Sequence, residues 1–112
     1  MSNAAPTHED RLARLEATIA ERRGADPATS YVASLAHKGR AKIAQKVGEE
    51  AVETVIAAIA DDRSGVISES ADLIFHLACL LADLGIGFDD ILAELDRREG
   101  VSGLAEKAAR SS

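Results

Sequence analysis

The segment from Leu73 to Leu84 constrains the fold more than any other stretch of this chain. Within it only His76 and Asp83 are polar; the rest is Leu, Ile, Phe, Ala and Cys. Wound as a helix, such a run is apolar nearly all the way round and has to be buried on several sides. A chain of 112 residues has room for one domain. Residues 7–112 read as that domain, and 1–6 as a flexible N-terminal end. With 22 alanines and only Tyr31, Phe75 and Phe88 as aromatics, the composition favours helix over sheet and close backbone packing. The expected fold is therefore all-α, a helical bundle of four to five helices. So few helices enclose an all-round apolar helix poorly, so the four-helix core is expected to be completed across a homodimer.

Local signals place the elements. Thr7-x-x-Asp10 resembles a capping box, followed by Leu12, Leu15 and Ile19 at helical spacing up to Gly24. Asp26-Pro27 reads as an N-cap with proline at the first helical position. It opens a short helix carrying Tyr31, Val32 and Leu35, which Gly39 interrupts. A long helix is expected from about Arg40 to Asp62, with Ile43, Val47, Val55, Ile56 and Ile59 on one stripe. Ser64-Gly65 is read as the turn into a helix from about Val66 to Leu84. Asp89-Asp90 starts another, apolar at Ile91, Leu92 and Leu95 and closed by Arg97-Arg98. The tail after Gly100 is expected to add a turn or two.

Two acidic groups carry the chemistry: Glu49-Glu50-x-x-Glu53 and Glu69-x-x-Asp72. The three-residue steps put Glu50 beside Glu53 and Glu69 beside Asp72, each pair roughly 5–6 Å apart between Cβ atoms. Two such charges repel by roughly 3 kcal/mol at an effective dielectric near 20. Acids on a helix are ordinarily a solvated face. Asp72, however, heads the apolar run and is expected to be partly buried, and buried charges need partners. If the two helices face each other, a hard divalent cation is the natural one.

The formal net charge of −6 argues against nucleic acid bound on a broad basic surface. The lone Cys79 lies in the apolar run and fits a structural role in a reducing compartment. No secretory signal pattern opens the chain, and the Leu73–Leu84 run falls short of a membrane span. A soluble cytoplasmic protein is expected.

Taken together, Lys46-Val47-Gly48-Glu49-Glu50-Ala51-Val52-Glu53 and Glu69-Ser70-Ala71-Asp72-Leu73-Ile74-Phe75-His76 resemble the signature of the all-α, MazG-type nucleoside triphosphate pyrophosphohydrolases. The flanking Lys42-Ile-Ala-Gln-Lys-Val-Gly48 and the step from Asp72 to His76 narrow this to the phosphoribosyl-ATP pyrophosphatase family. The resemblance runs from about residue 10 to 110. It includes the Ser30-Tyr31 helix start, Lys38-Gly39, and the tail Gly100-x-Ser102-Gly103-Leu104. Phe75 stands where Tyr is also familiar.

The resemblance implies hydrolysis of phosphoribosyl-ATP at the α–β phosphate bond, giving phosphoribosyl-AMP and pyrophosphate in the second step of histidine biosynthesis. It also implies Mg²⁺ and a homodimer or dimer of dimers. Glu50, Glu53, Glu69 and Asp72 match the family's metal-binding carboxylates. Glu49 matches the first acid of the motif, as an orienting group or a general base; the base role is open between Glu49 and Glu50. Lys46, and behind it Lys42 and Lys38, are placed to reach a phosphate, although Lys46 and Glu50 are also an ordinary i,i+4 ion pair. His76 shares a helix face with Asp72. It is either a hydrogen-bonded core residue or a contact to substrate or metal carboxylate. Arg97 and Arg98 read as solvated helix-end charges.

Three other readings compete. A housekeeping pyrophosphohydrolase acting on ordinary or non-standard triphosphates would carry the same acids. A di-iron bundle would want Glu-x-x-His pairs, whereas Asp72 and His76 are four apart. A non-enzymatic helical dimer would carry the acids as surface charge alone.

Overall fold

The computed structural model describes residues 4–99 together with 107 and 110. Five helices follow one another: α1 His8–Arg22, α2 Tyr31–Lys38, α3 Arg40–Ile59, α4 Arg63–Leu84 and α5 Phe88–Glu99. No strand occurs among the described residues. The fold is an all-α bundle, as expected. The Gly100 to Leu104 tail motif lies outside the described residues.

α3 and α4 form an antiparallel hairpin, and α4 is the central element, touching α1, α2 and α3. By length and composition alone α4 would reach across a membrane. Here the buried Ala78, Cys79 and Leu81 of its C-terminal half join Ile19, Val32, Leu35, Ile43 and Phe88 in one core. Burial pushes the Cys79 thiol up to about 11, which keeps it an inert packing group. Around this end, Asp83 of α4 accepts from Arg40 Nε at 2.7 Å and Arg23 Nη2 at 3.4 Å, tying α1, α3 and α4 together. Arg40 is the main reason the Asp83 carboxyl sits below its ordinary value.

The capping box at Thr7 and Asp10 forms as expected, with hydrogen bonds of 2.9 and 3.0 Å in the two directions. Three features differ from the sequence reading. Asp26-Pro27 does not open α2: Asp26 accepts from Ala28 N through its side chain and from Ser30 N through its carbonyl, making a turn. Ser30, extended at φ −127°, is the true N-cap and accepts from Ala33 N.

The α3–α4 turn lies earlier than Ser64-Gly65. Asp61 takes φ 59°, with Asp61 N donating to Ala58 O and Asp62 N to Ala57 O. This is a Schellman closure with aspartate in the position glycine usually holds. Asp62 then caps α4 by accepting from Gly65 N at 3.0 Å. Gly65 is therefore helical, and a Cβ there would overlap the Asp62 carboxylate as it stands.

The third difference concerns burial. Of the expected α3 stripe, Ile43 is buried, while Val55, Ile56 and Ile59 are exposed, Ile59 to 83%. Ile67 and Ile74 of α4 are exposed as well. α5 is held by buried Phe88, whose N–H donates to Glu16 Oε2 of α1 at 3.2 Å, whereas Ile91 and Leu95 face outward.

Candidate metal centre

The hairpin register assembles the acids. Glu53 and Glu69 lie roughly two helical turns from Asp61, one on each arm, and Glu50 and Asp72 roughly three. Antiparallel arms joined by a tight turn therefore bring Glu53 level with Glu69 and Glu50 level with Asp72. One carboxylate oxygen each from Glu50, Glu69 and Asp72 lies within 4.8 Å of the others. The Glu53 carboxyl acts on Glu69 without joining that triad.

The electrostatics of this cluster are unfinished by the protein alone. The buried member is Glu50, only 7% exposed, whereas Asp72, expected to be partly buried at the head of the apolar run, is exposed. Glu50 Oε2, and Oε2 of half-buried Glu69, are shut off from solvent with no hydrogen-bond donor. Such atoms are costly unless something positive or protic meets them. Without a cation the only remedy is a shared proton. The Glu69 carboxyl is accordingly raised to about 7, chiefly by hydrogen bonds with Glu53 and then Glu50, with desolvation adding to them. The donor set is all carboxylate oxygen, which suits a hard divalent cation such as Mg²⁺ or Ca²⁺ rather than a soft one. The orphaned oxygens fit such an ion.

His76 stands next to the triad and is 5% exposed. Its Nδ1 lies 2.9 Å from the Asp72 carbonyl oxygen and 3.9 Å from Glu50 Oε1. Its Nε2 lies 2.8 Å from the Tyr31 hydroxyl. Burial pushes the Tyr31 phenol above its ordinary value, Lys46 opposing this in part. Sequence reading treated Tyr31 as one apolar residue of a short helix. No signal in the acidic motifs marks it, because its hydrogen-bond partner lies 45 positions away.

The remaining sequence candidates lie off the triad. Glu49 is exposed on the outer side of α3 and accepts from Gln45 Nε2 at 2.8 Å and Lys46 Nζ at 3.3 Å. These two hydrogen bonds hold its carboxyl below the ordinary range, and in return Glu49 raises Lys46. Lys42 is half-buried one turn earlier and adds its charge to the lowering of Glu49. Arg97 and Arg98 both bind Glu94 on α5, pulling that carboxyl down to about 2, as helix-end charges.

Comparison with known proteins places this geometry in a family. The profile of the family described as phosphoribosyl-ATP pyrophosphohydrolase matches residues 12–99. A phosphoribosyl-ATP pyrophosphatase of Rhizorhabdus wittichii is 72% identical over 99 residues, covering 88% of this chain and 93% of the relative. One from Zymomonas mobilis is 67% identical over 91% of this chain and 95% of the relative. One from Azospirillum brasilense is 58% identical over 90% and 91%. With a profile match across both acidic motifs and relatives of this similarity over nearly their whole length, the chain belongs to the phosphoribosyl-ATP pyrophosphohydrolase family.

Proposed function

We propose that this chain hydrolyses phosphoribosyl-ATP at the α–β phosphate bond, releasing pyrophosphate and phosphoribosyl-AMP, as a Mg²⁺-dependent cytoplasmic enzyme of histidine biosynthesis. Family membership carries the reaction. The observation that carries the metal is the pair of orphaned oxygens, Glu50 Oε2 and Glu69 Oε2, inside a carboxylate triad.

Glu50, Glu69 and Asp72 would hold the cation, with Glu53 in reach through its contact with Glu69. When bound, Mg²⁺ neutralises charge developing on the leaving pyrophosphate and lowers the pKa of an attacking water. The chain's own groups supply the rest. Glu50 is the nearer candidate for orienting or deprotonating that water, because it belongs to the triad. Glu49 keeps Lys46 in place, and Lys46 and Lys42 offer positive charge to the polyphosphate. His76 steadies the Glu50 carboxylate through the contact of its Nδ1.

The exposed apolar side chains Val52, Val55, Ile56 and Ile59 on α3 and Ile67 and Ile74 on α4 support a homodimer, or a dimer of dimers, in which two α3–α4 hairpins make one four-helix core.

The deciding experiment is pyrophosphate release from phosphoribosyl-ATP with Mg²⁺, beside a panel of ordinary nucleoside triphosphates. Strong preference for phosphoribosyl-ATP is expected. Comparable release from the ordinary triphosphates would move the function to nucleotide-pool cleaning.

A further inference from the structure

The Tyr31 ring has little reason, in packing alone, to carry a hydroxyl. It is half exposed at the first position of α2 and stacks on Phe75 with centroids 6.1 Å apart and planes 22° from parallel. A phenylalanine would stack equally well. What the hydroxyl adds is one hydrogen bond, 2.8 Å long, to the Nε2 of a histidine that is itself buried.

The direction of that bond follows from the other side of the ring. Nδ1 faces the Asp72 carbonyl at 2.9 Å and the Glu50 carboxylate at 3.9 Å. Neither group donates, so Nδ1 carries the hydrogen. In the neutral imidazole Nε2 is then a bare lone pair, and the Tyr31 O–H is the donor that meets it. Tyr31 and Phe75 both set their faces near perpendicular to the imidazole, at 84° and 85°, which fixes the ring plane. Without the hydroxyl, the lone pair on Nε2 is buried and unmet. The opposite tautomer then competes, and it turns the Nδ1 lone pair toward a carbonyl and a carboxylate.

We propose that Tyr31 is a positioning residue of the metal centre: by donating to His76 Nε2 it keeps the Nδ1–H on the Asp72 main-chain carbonyl and beside the Glu50 carboxylate, and so holds that carboxylate in place for the cation. The assignment rests on the metal reading above. Nothing in the spacing of the acidic motifs points to residue 31, because it acts across two helices and through a second side chain.

The test compares wild-type protein with Tyr31→Phe, which removes one oxygen and keeps the ring pair. Two quantities are read: the affinity for Mg²⁺ alone by titration calorimetry, and the ring-nitrogen signals of His76 in ¹⁵N-histidine protein. His76 is distinguished from the other two histidines by single His8→Gln and His37→Gln variants.

Wild type should bind Mg²⁺ and show a protonated Nδ1 with an unprotonated Nε2. In Tyr31→Phe, Mg²⁺ should bind about 10-fold more weakly, the scale of losing an outer partner of a metal ligand. The His76 signals should move to a mixture of tautomers, and saturating Mg²⁺ should restore most of kcat. A purely structural Tyr31 would change the melting temperature and leave Mg²⁺ affinity and ring nitrogens alone; either of these unchanged overturns the proposal. Wild type that binds no Mg²⁺ overturns the metal reading itself, and this proposal with it.

Discussion

The two ends of the α3–α4 hairpin are built on different terms. At the end where α3 begins and α4 finishes, Ile43, Cys79 and Leu81 are enclosed by α1, α2 and the start of α5, and Asp83 is gripped by two arginines. At the turn end nothing within the described residues covers the hairpin, and Val55, Ile56, Ile59 and Ile67 stand in the open. The carboxylate triad lies at the junction. A charged site of this kind needs a rigid support on one side and an opening on the other, and the change from closed core to bare hairpin provides both.

Core truncation gives the largest expected contrast between these ends. Ile19→Ala removes a fully buried side chain from the closed end and should cost roughly 2–5 kcal/mol of unfolding free energy, read by urea titration with circular dichroism. Ile59→Ala removes a similar side chain from the bare end. In dilute protein it should stay within about 0.5 kcal/mol, and its effect should appear only as concentration is raised. Equal losses from the two variants at low concentration would mean that the hairpin end is covered by the chain itself.

At the junction, Glu50→Gln and Asp72→Asn should each lower turnover by at least ~10²-fold, the scale of one well-placed electrostatic group. Helical content should be unchanged, since neither carboxylate contributes to the closed core. Hydrolysis that survives both changes would reduce the acids to surface charge.

A smaller effect separates the bare end from the rest. Ile56→Glu places a charge among the exposed apolar side chains, where a single chain tolerates it and a buried subunit contact does not. Sedimentation should show self-association weakened at least ~10-fold, equal to about 1.4 kcal/mol, with α1, α2 and α5 undisturbed.

Much of this layout was legible from residue types and spacing, for reasons that differ by element. The acidic pairs were readable because i,i+3 spacing survives any tertiary arrangement, whereas their facing was only a condition until the tight turn at Asp61 set the hairpin register. The Thr7 cap was readable because its partner, Asp10, lies one turn away. The α3–α4 turn was misplaced because Asp61 adopts a left-handed conformation that glycine normally advertises, while the glycine nearby serves the Asp62 cap instead. The burial of the α3 stripe was misjudged because periodicity reports which face is apolar and not whether this chain or another covers it. Tyr31 was invisible as a site residue because its hydrogen bond spans 45 positions.

The smallest expected effect concerns protons at the junction. The Glu69 carboxyl rises from an ordinary 4.5 to about 7 in the folded, metal-free chain, through hydrogen bonds with Glu53 and Glu50. Between these values the folded state binds a proton that the unfolded state has released, so this group stabilises the fold below about 4.5 and loses that contribution as pH rises through about 7. Metal-free protein should therefore melt at a lower temperature at pH 8 than at pH 5.5. Mg²⁺ should reverse the sign, because it binds ionised carboxylates and displaces the shared proton. Thermal melts across this range, with and without Mg²⁺, read the effect. Glu69→Gln isolates it by flattening the metal-free slope. A slope that persists in Glu69→Gln would assign the proton to another group.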